Sequence, residues 1–148
     1  MGSSFSCASE DNMANKLLPA AIVSPRSKHT ATVMGKFVDS EVKAGIPIEN
    51  IVIGGFSQGG SVALYNALTG TSRYGGVVAF SSWLPLHTKF LTSPTDVPIF
   101  QCHGLQDCTI PFAMGKLTHE LLQTFRLSKC ELKSYPHLSH SSCEQVRL

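Results

Sequence analysis

One serine stands where it could act as a nucleophile. In "IVIGGFSQGG", residues 51 to 60, an apolar, β-branched run meets a serine set between two glycine pairs. Gly55-Phe56-Ser57-Gln58-Gly59 is a G-x-S-x-G pattern. The spacing has a steric meaning. At a sharp strand-to-helix turn, the residues two before and two after the serine come together and must lack bulk. Gly54 and Gly60 extend the small-residue zone. Such a turn aims the Gln58 backbone N–H and the start of the next helix at a developing oxyanion. The alternative is a glycine-rich turn that binds a phosphate or nothing. An apolar strand before the serine and a helix after it favour the nucleophile.

A hydroxyl is a poor nucleophile until a base takes its proton, and the base needs an acid to orient it. Asp107, in "CHGLQDCTIP", is the candidate acid. His137 and His140 both lie in "YPHLSHSS", and spacing alone leaves the choice of base open. Asp96 precedes a predicted strand and falls at the wrong end of it. His103 ends that strand, where a histidine that packs in the core or supports the site from behind is expected. His29, His87 and His119 fall in a predicted strand, a loop and a helix. No H-E-x-x-H is present, and Cys7, Cys102, Cys108, Cys130 and Cys143 include no C-x-x-C. Neither a metal site nor a disulfide framework is expected.

These residues need elements to hold them. Residues 50 to 56 read as a strand buried on both faces, and 58 to 70 as a helix closed by Gly70. Further strands are predicted at 75–85, 96–104 and 130–136. The clearest helix spans 111–126, with Met114, Leu117, Leu121 and Phe125 on one side. Upstream, 19–25 and 28–34 are short, rich in Val, Ile and Thr, and separated by Pro-Arg-Ser, so they read as a strand pair. Residues 36–47 read as a short helix stopped by Gly45 and Pro47. Alternating strands and helices predict an α/β fold with a parallel sheet. Chemistry then belongs beyond the carboxyl ends of the strands, in the loops after 56, 81, 104 and 136.

The chain has 148 residues, which fits one domain. A net charge of +2 and scattered Lys and Arg give no reason to expect a nucleic-acid partner. No apolar run is long enough to cross a bilayer, and no secretory leader pattern opens the chain. Unpaired cysteines point to a reducing, cytoplasmic compartment. Residues 1–15 are polar and without periodicity and are expected to be flexible, with 16–148 forming the domain. Gly2 with Ser6 fits the M-G-x-x-x-[ST] pattern for N-myristoylation, and Cys7 is a candidate palmitate acceptor. Two acyl chains would give stable peripheral attachment to a membrane.

"GGFSQGGSVALYNALT", "AFSSWLPL", "QCHGLQDCTIP" and "HSSC" together resemble the acyl-protein thioesterases, the small carboxylesterase and lysophospholipase branch of the α/β-hydrolases. The resemblance runs from "PAAIVSPRSKHTATV" through "EVKAGIPIENIVIGGFSQGG" and covers most of residues 18 to 145. It implies an α/β-hydrolase-type, mostly parallel sheet with flanking helices. It implies Ser57 as nucleophile, Asp107 as acid and His140, directly before "SSC", as base. Gln58 matches the oxyanion donor. Trp83, Leu84 and Leu86 match a segment near the acyl-binding surface, with core packing as the plainer reading. The implied substrates are S-acylated proteins, with lysophospholipids and other esters besides, and no cofactor is needed.

The chain departs from that pattern in two places. The H-G-x-G-D loop expected after "HTATV" is absent, and with it the second oxyanion N–H. The final helix is also missing, so the sequence resembles a shortened member of the family. Losing one oxyanion donor costs about 10²- to 10³-fold in rate by analogy. A catalytically impaired form that acts as a binding or interaction protein is the alternative expectation.

Overall fold

Among the described residues four strands make one sheet in sequence order, and every neighbouring pair is parallel. They are β1 (Val52–Phe56), β2 (Gly76–Phe80), β3 (Ile99–Gly104) and β4 (Cys130–Tyr135). Among the described residues three helices accompany them: α1 (Pro25–Lys43), α2 (Gln58–Thr69) and α3 (Phe112–Thr124). A single 3₁₀ turn at Ile48–Asn50 leads into β1. This is a computed structural model, and it describes residues 25–85, 96–125, 127 and 129–143. The expected flexible segment 1–15 and the first predicted strand up to residue 24 lie outside those residues.

Register and side-chain alternation divide the sheet into two faces. Ile53, Val77 and Ile99 lie in one row across β1, β2 and β3, with Ala79 two residues further along β2. All four are buried in one cluster with Ala63, Leu64, Ala67 and Leu68 of α2 and Leu122 of α3. Leu64 and Leu122 have no exposed surface. Burying a side chain of that size contributes about 1.5–3 kcal/mol. The opposite face carries Val52, Phe56, Val78, Phe80 and Phe100, and there Val52 is 60% exposed and Phe56 41%.

The predicted strand at 28–34 is not formed; those residues lie in the first half of α1. Strand alternation would have placed Ala31 and Val33 on one face with Met34 on the other. A helix instead gathers Ala31, Met34 and Val38 at i, i+3 and i+7. Ala31 and Val38 are buried, and Met34 packs on the core cluster. Asn66 of α2 fixes the pairing, its Nδ2 donating to the Ala31 carbonyl at 2.8 Å. Of the helix expected at 36–47, residues 36–43 form the second half of α1. It ends as predicted at Gly45, whose φ of +100° suits a residue without Cβ. Gly45 N–H donates to the Val42 carbonyl and Ile46 N–H to the Glu41 carbonyl, the paired bonds of a Schellman stop.

Candidate active site

Ser57 joins β1 to α2 with φ 53° and ψ −120°, a left-handed backbone at a residue that carries a Cβ. Such a conformation costs on the order of 1–3 kcal/mol and persists only where its surroundings enforce it. They do so here. Ser57 N–H continues the β1–β2 ladder to the Phe80 carbonyl at 2.8 Å. One turn on, Ser61 N–H donates to the Ser57 carbonyl at 3.2 Å. A Cβ on Gly55 would sit 2.8 Å from the Gly59 carbonyl oxygen, and one on Gly60 would strike the Ser82 hydroxyl. A Cβ on Gly59 meets nothing within 4 Å. The steric need therefore falls on Gly55 and Gly60, and the expectation that Gly59 must also lack bulk is corrected. Gly54 keeps β1 against β2, since its Cβ would lie 2.7 Å from the Val78 carbonyl. Gln58 is the first residue of α2, so its N–H lacks an intrahelical acceptor and is available to an anion.

Asp107 lies in the turn after β3 and its side chain is fully buried. Its Oδ1 accepts the N–H groups of Thr109 at 3.0 Å and Ile110 at 2.8 Å. Its Oδ2 lies 2.8 Å from Nδ1 of His140, whose side chain is 19% exposed. His140 follows β4, and the loop turns back over the end of the sheet. It brings the imidazole against the Phe56 ring of β1, centroids 4.7 Å apart and planes 48° from each other. Phe56 directly precedes Ser57. The nucleophile, acid and base candidates thus gather at one rim, beyond the carboxyl ends of β1, β3 and β4. Among the described residues no hydrogen bond joins the Ser57 hydroxyl to His140; sites without substrate commonly hold that bond loosely. His137 is exposed, and the contact to Asp107 belongs to His140.

The loops that carry acid and base are fastened to each other. Leu105 N–H donates to the Tyr135 carbonyl at 3.0 Å and Gln106 N–H to the Leu138 carbonyl at 3.1 Å. Gly104 permits the approach, because a Cβ there would collide with the Leu138 carbonyl.

A second histidine touches the acid. His103 Nε2 lies 2.8 Å from the Ile110 carbonyl and 3.5 Å from Asp107 Oδ2. It is 1% exposed. Burial holds its pKa below the ordinary histidine value, against the upward pull of the Ile110 bond and the Asp107 charge. Sequence reasoning placed His103 behind the site without giving it a task; the i, i+4 spacing of His103 and Asp107 is the one signal that links them.

The other candidates are placed as follows. Leu84 is buried in the core cluster, and its N–H donates to the Thr118 hydroxyl at 2.9 Å, so its position is that of a packing residue. Trp83 is half-buried, its N–H 3.3 Å from the Ser61 hydroxyl. Leu86, Gly2 and Cys7 lie outside the described residues. An apolar recess lined by Phe56, Phe80, His140, Ser141 and Ser142 adjoins the imidazole. Among the described residues no cluster of three or more His, Cys, Asp or Glu could hold a metal ion. No helix among them is long and apolar enough to cross a membrane.

Comparison with known proteins adds to this geometry. Residues 17–146 match the model of a family described as phospholipase/carboxylesterase. The chain is 36% identical over 132 aligned positions to acyl-protein thioesterase 1 of Cryptococcus neoformans, covering 78% of this chain and 56% of that one. It is 40% identical over 111 positions to acyl-protein thioesterase 1 of Gibberella zeae, covering 71% and 47%. In structure it is similar to Arabidopsis thaliana SOBER1, with a TM-score of 0.75 at 28% identity, covering 84% of this chain and 60% of that one. The chain thus spans about half the length of the curated relatives it matches.

Proposed function

Since the chain belongs to the phospholipase/carboxylesterase family of α/β-hydrolases, we propose that it is a serine hydrolase that removes long acyl chains from cysteine thioesters on proteins. Lysophospholipids and other carboxylic esters are secondary substrates of the same site. The observation that carries this reading is the 2.8 Å contact between a buried carboxylate and His140, at the rim that holds a strained Ser57.

The reaction runs in two steps. Asp107 accepts Nδ1–H of His140, which leaves Nε2 free to take the Ser57 proton. The hydroxyl oxygen attacks the thioester carbonyl, and the Gln58 N–H and the start of α2 stabilise the oxyanion that forms. His140 returns the proton to the departing thiol, leaving an acyl-serine. Water, deprotonated by the same imidazole, then releases the fatty acid and restores Ser57. The H-G-x-G-D loop is absent from the sequence, so one oxyanion donor does the work of two. Turnover about 10²- to 10³-fold below that of a complete pocket is expected.

The test is hydrolysis of a long-chain acyl thioester, and labelling by a fluorophosphonate probe, for the chain and its Ser57→Ala variant. The variant is expected to lose at least about 10³-fold in rate and all labelling. Hydrolysis by the variant at the parent rate would remove Ser57 from the reaction.

A further inference from the structure

We propose that His103 is a positioning residue for the acid–base pair, holding Asp107 through the Ile110 carbonyl; this rests on the hydrolase reading above. Ile110 is the pivot. Its N–H donates to Asp107 Oδ1 at 2.8 Å, and its carbonyl accepts from His103 Nε2–H at 2.8 Å. One peptide segment is therefore gripped on both sides, by the carboxylate it orients and by an imidazole anchored at the end of β3. Asp107 must present Oδ2 to His140 while Oδ1 is occupied. The closed turn from 107 to 110 is what fixes that orientation, and without the His103 donor its far end is untied.

The protonation state of His103 serves this role. Nε2 donates to a carbonyl, so the proton of the neutral ring is on Nε2 and Nδ1 is bare. A buried, uncharged ring adds an N–H dipole near Asp107 Oδ2 at 3.5 Å without supplying a full positive charge. A cation there would compete with His140 for the carboxylate. A separate feature points the same way. Gly115 lies inside α3, where glycine costs about 1 kcal/mol against alanine. A Cβ at that position would collide with the His103 ring. The Phe112 ring meets the same imidazole edge-on at 5.8 Å. Helix α3 thus gives up local stability at the spot where the ring has to lie.

The test compares His103→Leu, which keeps bulk but donates nothing, with His103→Gln, whose amide can still reach a carbonyl. Two quantities are read. One is thioester hydrolysis resolved into kcat and KM. The other is the downfield proton NMR resonance of His140 Nδ1–H, which reports the bond to Asp107 without any turnover. His103→Leu is expected to lower kcat about 10- to 100-fold at unchanged KM and to lose the resonance. His103→Gln is expected to restore both. A folded His103→Leu chain with parental kcat and resonance overturns the proposal. So does His103→Gln behaving like His103→Leu, or a parent chain without the resonance. If His103→Leu fails to fold, Gly115→Ala decides, because its methyl displaces the ring and leaves Asp107 untouched. Loss of the resonance supports the role, and an unchanged resonance overturns it. If the parent chain hydrolyses nothing, the functional reading fails alone and the resonance still decides the role of His103.

Discussion

Single side chains at this rim work through pairs of backbone groups. Asp107 is fully buried, yet both its oxygens are satisfied, which is what allows a charged carboxylate to stay there. Ser57 and Asp107 were legible because their chemistry forces a local pattern: glycines at a tight turn, and an acid in the turn after a strand. The choice between His137 and His140 was not legible from spacing, because both lie in one loop; the resemblance at "HSSC" selects His140, and the fold turns that ring inward to Asp107. The tie from His103 through Ile110 was invisible, since it joins groups across a turn and under a helix. His103 also has a consequence for stability. Its pKa is lowered in the folded chain by burial. As pH falls through about 6.5, the unfolded chain takes up a proton at this position before the folded chain does. The contribution is therefore complete above that pH and is lost below it. Denaturant midpoints at about pH 7.5 and about pH 5 should fall further for the parent than for His103→Gln.

At the level of elements, a strand signal and a helix signal competed over residues 28–34, and the helix prevailed. Thr and Val suggest a strand, but "HTATVM" runs into "GKFVDSEVK" with only Gly35 between them, and a lone glycine weakens a helix without stopping it. Neighbouring α2 offers a surface for a stripe at helical spacing. Asn66 anchors that contact. Its amide donates to the Ala31 carbonyl, and its Oδ1 accepts the Tyr74 hydroxyl at 2.8 Å. Asn66→Ala would leave both partners without their bond in a partly buried setting. A loss of about 1–3 kcal/mol is expected, measured as a lower denaturant midpoint with helical signal lost from α1 first. The order of the central strands and of α2 and α3 is legible for the opposite reason, although β2 ends at Phe80 and not at 85, because the backbone turns at Ser81 with φ 47°. Their apolar periods are uninterrupted, and Gly70 and Pro111 mark clear edges.

For the whole molecule, the two faces of the sheet are unequal. One is sealed by α2 and α3; the other exposes Val52 and Phe56 beside the half-buried Val78, Phe80 and Phe100. Among the described residues β1 pairs with β2 alone, and an apolar patch beside such an edge favours self-association. Val52→Lys, at the end of β1 away from Ser57, should reduce concentration-dependent association in sedimentation and leave probe labelling of Ser57 unchanged. Which face is left open was not legible in the sequence, since that depends on the side to which the helices cross. The loop from β4 to Phe56 has a last consequence. Nucleophile and base hang from the outer strands β1 and β4 of the described sheet, three spacings or about 14 Å apart. The reactive arrangement therefore exists only when every strand between them has zipped. A half-assembled chain would be inert, and reactivity would appear in a single step as the last pairing closed.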